Sequence, residues 1–206
     1  AERGIWTAKK RYILNVWDSE GVRYEEPKLK MMGIEAVKSS TPAPCRTMIK
    51  DALKLMMRGT EDDVIDFIEN ARKEFNSLPP EEIAFPRTAS NIRKYKSSSD
   101  IYVKGTPIHI RGALLFNYYL KKKKLTNKYS AIENGEKVKF LYLKKPNIIQ
   151  ENVLSFIQDF PKEFGLSQYI DYELQFEKSF VYPLKAILDA IGWEVERKVT
   201  LESFFS

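Results

Sequence analysis

The chain has 206 residues, of which 43% are hydrophobic, 13% aromatic and 30% charged, with a formal net charge of +6. That is enough for one ordinary domain with a sizeable core, or for one domain and the edge of another, and it excludes a disordered chain. A single cysteine, Cys45, and a single histidine, His109, exclude a disulfide framework and cannot build a zinc site between them.

No apolar run approaches the roughly 20 residues needed to cross a bilayer, and the N-terminus has no secretory pattern, so the expected compartment is reducing and cytoplasmic. Opening on Ala1, the chain reads as a cut or processed piece of something longer. Its charge is uneven: residues 1–60 carry +5, 61–86 carry −6, 87–145 carry +12 and 146–206 carry −5. The third block holds Arg111, Lys121 to Lys124, Lys137, Lys139, Lys144 and Lys145. It has the footprint of a phosphate-tracking surface, although a solvated basic face would have the same composition.

In chain order, residues 11–32 alternate as a hairpin, with Tyr12, Leu14 and Val16 on one face and Ser19-Glu20-Gly21 as the turn. Lys38 to Pro44, with two prolines and three hydroxyl residues, reads as a hinge. Met48, Leu53 and Met56 mark a first helix, and Gly59-Thr60 ends it. Thr60 with Asp63 caps a second helix, whose apolar stripe is Val64, Ile68, Ala71 and Phe75 and whose acidic face should meet solvent. Prolines 79, 80 and 86 and the Ser97-Ser98-Ser99 run predict loops around one short helix near Asn91 to Tyr95. Pro107 opens a longer helix from Ile108 through Leu120, Val138, Phe140 and Tyr142 alternate as a strand, and Tyr169–Phe180 and Pro183–Ile191 read as two helices joined at the proline. The fold class expected is α+β, mainly helical, with a small antiparallel hairpin at the N-terminal end.

Lys9-Lys10-Arg11-Tyr12 is expected to open a strand, presenting cations and an aromatic ring at one edge of a groove. Alone it is equally a solvated strand edge that discourages aggregation. Together with Gly4-Ile5-Trp6 before it and Leu14-Asn15-Val16-Trp17-Asp18 after it, the segment resembles the Lys-Lys-Arg-Tyr region of family B DNA polymerases of T-even-like bacteriophages. The resemblance continues in order through Lys28-Leu29-Lys30, Gly33-Ile34-Glu35, Lys38-Ser39-Ser40-Thr41-Pro42, Ser90-Asn91-Ile92, Lys94-Tyr95, His109-Ile110-Arg111-Gly112 and Gly135-Glu136-Lys137-Val138. Tyr172, Glu177-Lys178 and Pro183-Leu184 complete it, and it is poorest over Thr126 to Asn134 and Asn147 to Gly165.

The resemblance implies a palm edge over 1–41, a thumb over 42–196 and a clamp-binding tail over 197–206. It implies that Lys9, Lys10, Arg11 and Tyr12 bind primer-template DNA, Lys10 and Tyr12 reaching the minor groove, whose shared acceptors report pairing without sequence. Lys30, Lys38, Ser39, Ser40, Thr41, Ser90, Asn91, Lys94, His109, Arg111 and Gly112 would hold the primer backbone. Nucleotidyl transfer needs carboxylates on two metal ions. The Tyr-Gly-Asp-Thr-Asp motif that supplies them in the family does not occur here, and Asp62-Asp63 is explained by capping.

The chain is therefore expected to be inactive alone, to need an N-terminal polymerase fragment carrying exonuclease, fingers and catalytic palm, and to meet Mg2+ only in the assembled polymerase. Leu201, Phe204 and Phe205 form an apolar cluster at helical spacing that resembles the peptide with which phage replicative polymerases bind their sliding clamp; a tail folded on its own domain is the alternative. A non-catalytic duplex-binding or clamp-tethering module is the competing reading of the whole.

Overall fold

The computed structural model describes residues 3–197, and the described chain forms two compact units. Among the described residues, the first gathers 3–38, 44–77 and 177–197; the second gathers 39–43 and 78–176. Among the described residues no helix is long and apolar enough to cross a membrane.

The first unit contains an antiparallel sheet of three strands, β1 (Arg3–Ala8), β2 (Arg11–Ser19) and β3 (Val22–Met32), with β2 in the centre. The expected hairpin is β2–β3. Its turn residues Glu20 and Gly21 have φ of 55° and 80°, the paired left-handed conformation that matches strand twist. β1 is an additional strand, in register with Trp6 opposite Tyr12 and Gly4 opposite Leu14. Directly opposed residues share a face, so one face carries Ile13 and Asn15, which are buried, and the other carries Trp6, Tyr12, Leu14, Lys30 and Met32. Pro27 stands in an outer strand, where its missing N–H is tolerated and discourages edge pairing.

Helices α1 (Ala43–Arg58) and α2 (Glu61–Ser77) supply the helical core of this unit. Met48, Ile49, Leu53 and Met56 are buried on α1, and Val64, Ile68, Ala71 and Phe75 on α2. Each such side chain contributes about 1.5–3 kcal/mol by leaving water. The reciprocal cap between the helices is present: the Thr60 N–H donates to the Asp63 carboxylate at 2.8 Å and the Asp63 N–H to Thr60 Oγ1 at 3.3 Å. These bonds hold the Asp63 carboxyl below its ordinary range.

The second unit contains α3 (Pro80–Ile83), β4 (Phe85–Thr88), α4 (Ile108–Lys122), β5 (Lys137–Tyr142), β6 (Val153–Phe156) and α5 (Tyr172–Phe176). Strands β4, β5 and β6 form a second antiparallel three-stranded sheet in that order. The α+β class expected from the sequence holds, and β4 and β6 are strands in addition to the one expected at Val138, Phe140 and Tyr142. All four residues of β6 are buried, so no alternation marks it as a strand, and β4 contains Pro86, which an outer strand accommodates. Gln175 on α5 is buried and ties the unit together: its Oε1 accepts from the Tyr142 N–H at 3.2 Å, and its Nε2 donates to the Ile83 carbonyl at 2.8 Å.

The expected helix pair around Pro183 is instead α5, a π turn over Glu177–Val181, and α6 (Tyr182–Leu188). Pro183 has no N–H to offer the carbonyl four residues back, which removes one α-helical bond where the wider turn occurs.

Candidate nucleic-acid interface

The residues singled out from the sequence fall into two groups, one in each unit. In the first unit Lys9 and Lys10 do not open a strand as expected: they form the turn between β1 and β2, and Lys10 has φ of 62°. Turn residues project at the end of the sheet and are not bound by the pleat. Both lysines are exposed, and neither forms an ion pair among the described residues.

Gly33, at φ 67°, supports this turn from the far side of the sheet. A Cβ there would lie 2.5 Å from the Lys10 carbonyl oxygen, so only glycine lets the two backbones approach. Arg11 differs from its neighbours. It is half-buried, and its Nη2 pairs with Glu35 Oε2 at 2.7 Å, while Lys38 Nζ meets Oε1 of the same carboxylate at 2.9 Å. One acid thus neutralises part of two expected DNA contacts and anchors them, leaving the lysine turn as the unpaired charge. Tyr12 is half-buried opposite Trp6 and Met32, which are 65% and 47% exposed, and Lys30 is exposed opposite Leu14.

In the second unit Ser39 and Ser40 are exposed, but Thr41 is buried. The Ser40 carbonyl accepts from Arg87 Nη1 at 2.7 Å, and the Arg87 guanidinium lies 5.7 Å from the centres of both the Phe85 and Phe140 rings. Arg87 thereby fixes the serine loop to β4. Nothing in the spacing around Pro86-Arg87 signals this role, because the partners lie far off in sequence. Glu35 was more accessible to sequence reasoning, since it stands three residues before Lys38.

Ser90, Asn91 and Lys94 are exposed on the loop after β4. Asn91 adopts φ 58°, and the loop is pinned by Ala89 N–H to Glu136 O and Gly135 N–H to Ala89 O, both 2.8 Å. His109 is held back from charge: burial, then the neighbouring Arg87, lower its pKa, partly opposed by a bond to the Thr88 backbone. It is a neutral donor at pH 7. Arg111 is half-buried, donates from Nη2 to Asn152 Oδ1 at 2.6 Å and lies 5.7 Å over the Tyr102 ring, whose hydroxyl bonds Glu151.

Gly112 is buried and would place a Cβ 2.7 Å from the Ser155 N. It is a close-packing position between α4 and β6. Among the described residues no three His, Cys, Asp or Glu side chains gather as metal ligands. Leu201, Phe204 and Phe205 lie outside the described residues.

No family model matches the chain. Two curated proteins do. Over 206 residues and 98% of its length, the chain is 33% identical to the DNA-directed DNA polymerase of Enterobacteria phage T4. Over 207 residues, again 98% of its length, it is 37% identical to the DNA-directed DNA polymerase of Escherichia phage RB69. It spans 22% of the length of each.

Proposed function

We propose that this chain is the C-terminal palm-edge and thumb portion of a family B DNA-directed DNA polymerase, and that it grips primer-template duplex without performing nucleotidyl transfer itself. The observation that carries the reading is the match to two phage polymerases along 98% of this chain and only 22% of theirs. The geometry adds a means. Exposed, unpaired Lys9 and Lys10 at a rigid turn, beside Tyr12, suit the minor groove. Ser39, Ser40, Ser90, Asn91 and Lys94 offer hydroxyl, amide and ammonium donors to phosphates. Arg111, fixed by Asn152, adds a donor of fixed direction.

The chemistry belongs to the assembled polymerase in the cytoplasm of a phage-infected host. There, an N-terminal portion provides the carboxylates and Mg2+, and the Leu201, Phe204 and Phe205 tail meets a sliding clamp.

The test is fluorescence-anisotropy titration of labelled primer-template across a salt series. Binding should be indifferent to sequence, with log affinity falling against log salt by about 0.9 per neutralised phosphate. Lys10→Ala should lower that slope by about 1 on every sequence alike. A strong base preference would sink the reading. So would mixing with the folded remaining portion of the polymerase and recovering no synthesis.

A further inference from the structure

A groove of about 410 Å³ runs beside the second half of α4 in the second unit. Its floor is apolar, with Ile92 and Leu114 each only 7% exposed. Three cations border it: Arg93, Lys96 and Lys121, all exposed, against one carboxylate, Asp100. None of the three is in an ion pair among the described residues. The Asp100 carboxylate is itself engaged by the Ser99 hydroxyl at 3.2 Å.

One wall is Tyr118, 43% exposed and held edge-on against Tyr119, with ring centres 5.0 Å apart at 86°. Asn117 stands beside it on α4, its amide spent on both sides of Ile132, donating to its carbonyl at 2.8 Å and accepting from its N–H at 2.7 Å. The groove is thus a fixed apolar slot with a positioned aromatic ring and an unneutralised cationic rim.

A ligand for such a slot needs a flat apolar plate and negative charge at a short distance from it. An acidic peptide brings the charge without the plate. Duplex DNA brings phosphates, but its base faces are already stacked on one another. An unpaired strand brings both, and its bases stack on aromatic side chains whatever their identity. A volume of about 410 Å³ is in the range of small-ligand pockets and accommodates one nucleotide.

We infer that the Tyr118 groove is a single-stranded nucleic-acid site, in which a base lies against Tyr118 and the flanking phosphates meet Arg93, Lys96 and Lys121. It stands apart from the duplex grip proposed above and shares none of its residues.

The experiment titrates the whole chain with fluorescein-labelled dT12. Tyr118→Ala should weaken dT12 binding about tenfold, as loss of one stacked base does, and Tyr118→Phe should retain it. Because Tyr118 is exposed, neither change opens a cavity, and an unchanged melting curve confirms the fold. A Tyr118→Trp variant supplies a second readout: its emission, corrected for the three native tryptophans, should be quenched by dT12. Replacing Arg93, Lys96 and Lys121 together with Ala should lower the single-strand salt slope by about 2, at roughly 0.7 per phosphate.

Binding of blunt duplex and its dependence on Lys10 should be unaffected by Tyr118→Ala, so that failure of the duplex reading leaves this one standing and the reverse. Unchanged dT12 affinity in Tyr118→Ala overturns the inference. Equal weakening on dT12 and duplex overturns it too, because the groove would then belong to the duplex grip, and so does a polyglutamate peptide that binds as tightly as dT12 with no need for Tyr118.

Discussion

The two units each contain a three-stranded antiparallel sheet, yet the two sheets are used differently. In the first, Ile13 is fully buried on one face of the central strand, while Trp6 and Met32 remain 65% and 47% exposed on the other. In the second, every residue of β6 is buried, and α4 lies so close to it that only a glycine, Gly112, fits against Ser155. Coverage accounts for the difference. A sheet covered on one face has a free face on which aromatic and cationic side chains can work, whereas a strand enclosed on both, like β6, serves as a scaffold, and function moves to the loops of its unit. That is where Ser90, Asn91 and Lys94 lie.

The sharpest way to test this contrast is to truncate one aromatic residue in each sheet. Phe156→Ala should cost about 3–5 kcal/mol, since a fully buried ring leaves a cavity. Trp6→Ala should cost less than about 0.5 kcal/mol, as an exposed side chain does. Urea unfolding measures both, and equal losses would show that the open face of the first sheet is covered after all.

A smaller effect separates the anchored cation from the free ones. Glu35→Gln removes the carboxylate that holds Arg11, whose Nε already lacks a partner. The loss expected is about 1–2 kcal/mol, the cost of leaving a partly enclosed charged donor unmatched. Lys9→Ala, at an exposed turn, should leave the unfolding midpoint unchanged.

The smallest effect is in acid. The His109 pKa is lowered in the fold, so the unfolded chain takes up its proton first. The stability that neutral His109 brings is present above the unfolded value of about 6.5 and is lost as pH falls through it. The drop in melting temperature between pH 7 and pH 5 should therefore be shallower in His109→Gln than in the unchanged chain. A steeper drop would mean that His109 is stabilised in its charged form.

Much of the local structure was legible because its causes are local. The β2–β3 hairpin follows from alternation and from a Glu20-Gly21 turn that accepts positive φ. The Thr60–Asp63 cap follows from two side chains three residues apart, and α4 follows from Pro107 and the apolar spacing after it. The site was legible only in its chemistry. Lys9 and Lys10 were identified as functional from their types and order, but their place in a turn was not, because strand and turn compete over a difference of two residues. The burial of Thr41 and Gly112 was not legible, because nothing in a hydroxyl or a glycine by itself says whether a distant segment will cover it.

By itself, then, the sequence determined which segments are helical, where two of the strands turn, how the positive charge clusters and which polymerases the chain is similar to. Only the tertiary structure decided that Glu35 holds Arg11 across 24 residues, that Arg87 reaches Ser40 across 47, and that residues 39–43 join 78–176 while the C-terminal helix joins the first unit. The division has a physical reason. Caps, turns and periodicity act over a few residues, where the chain itself fixes the distance between partners. Ion pairs, strand partners and burial depend on which distant segments come together, and that is set by the best mutual covering of apolar surface, a property of the whole chain.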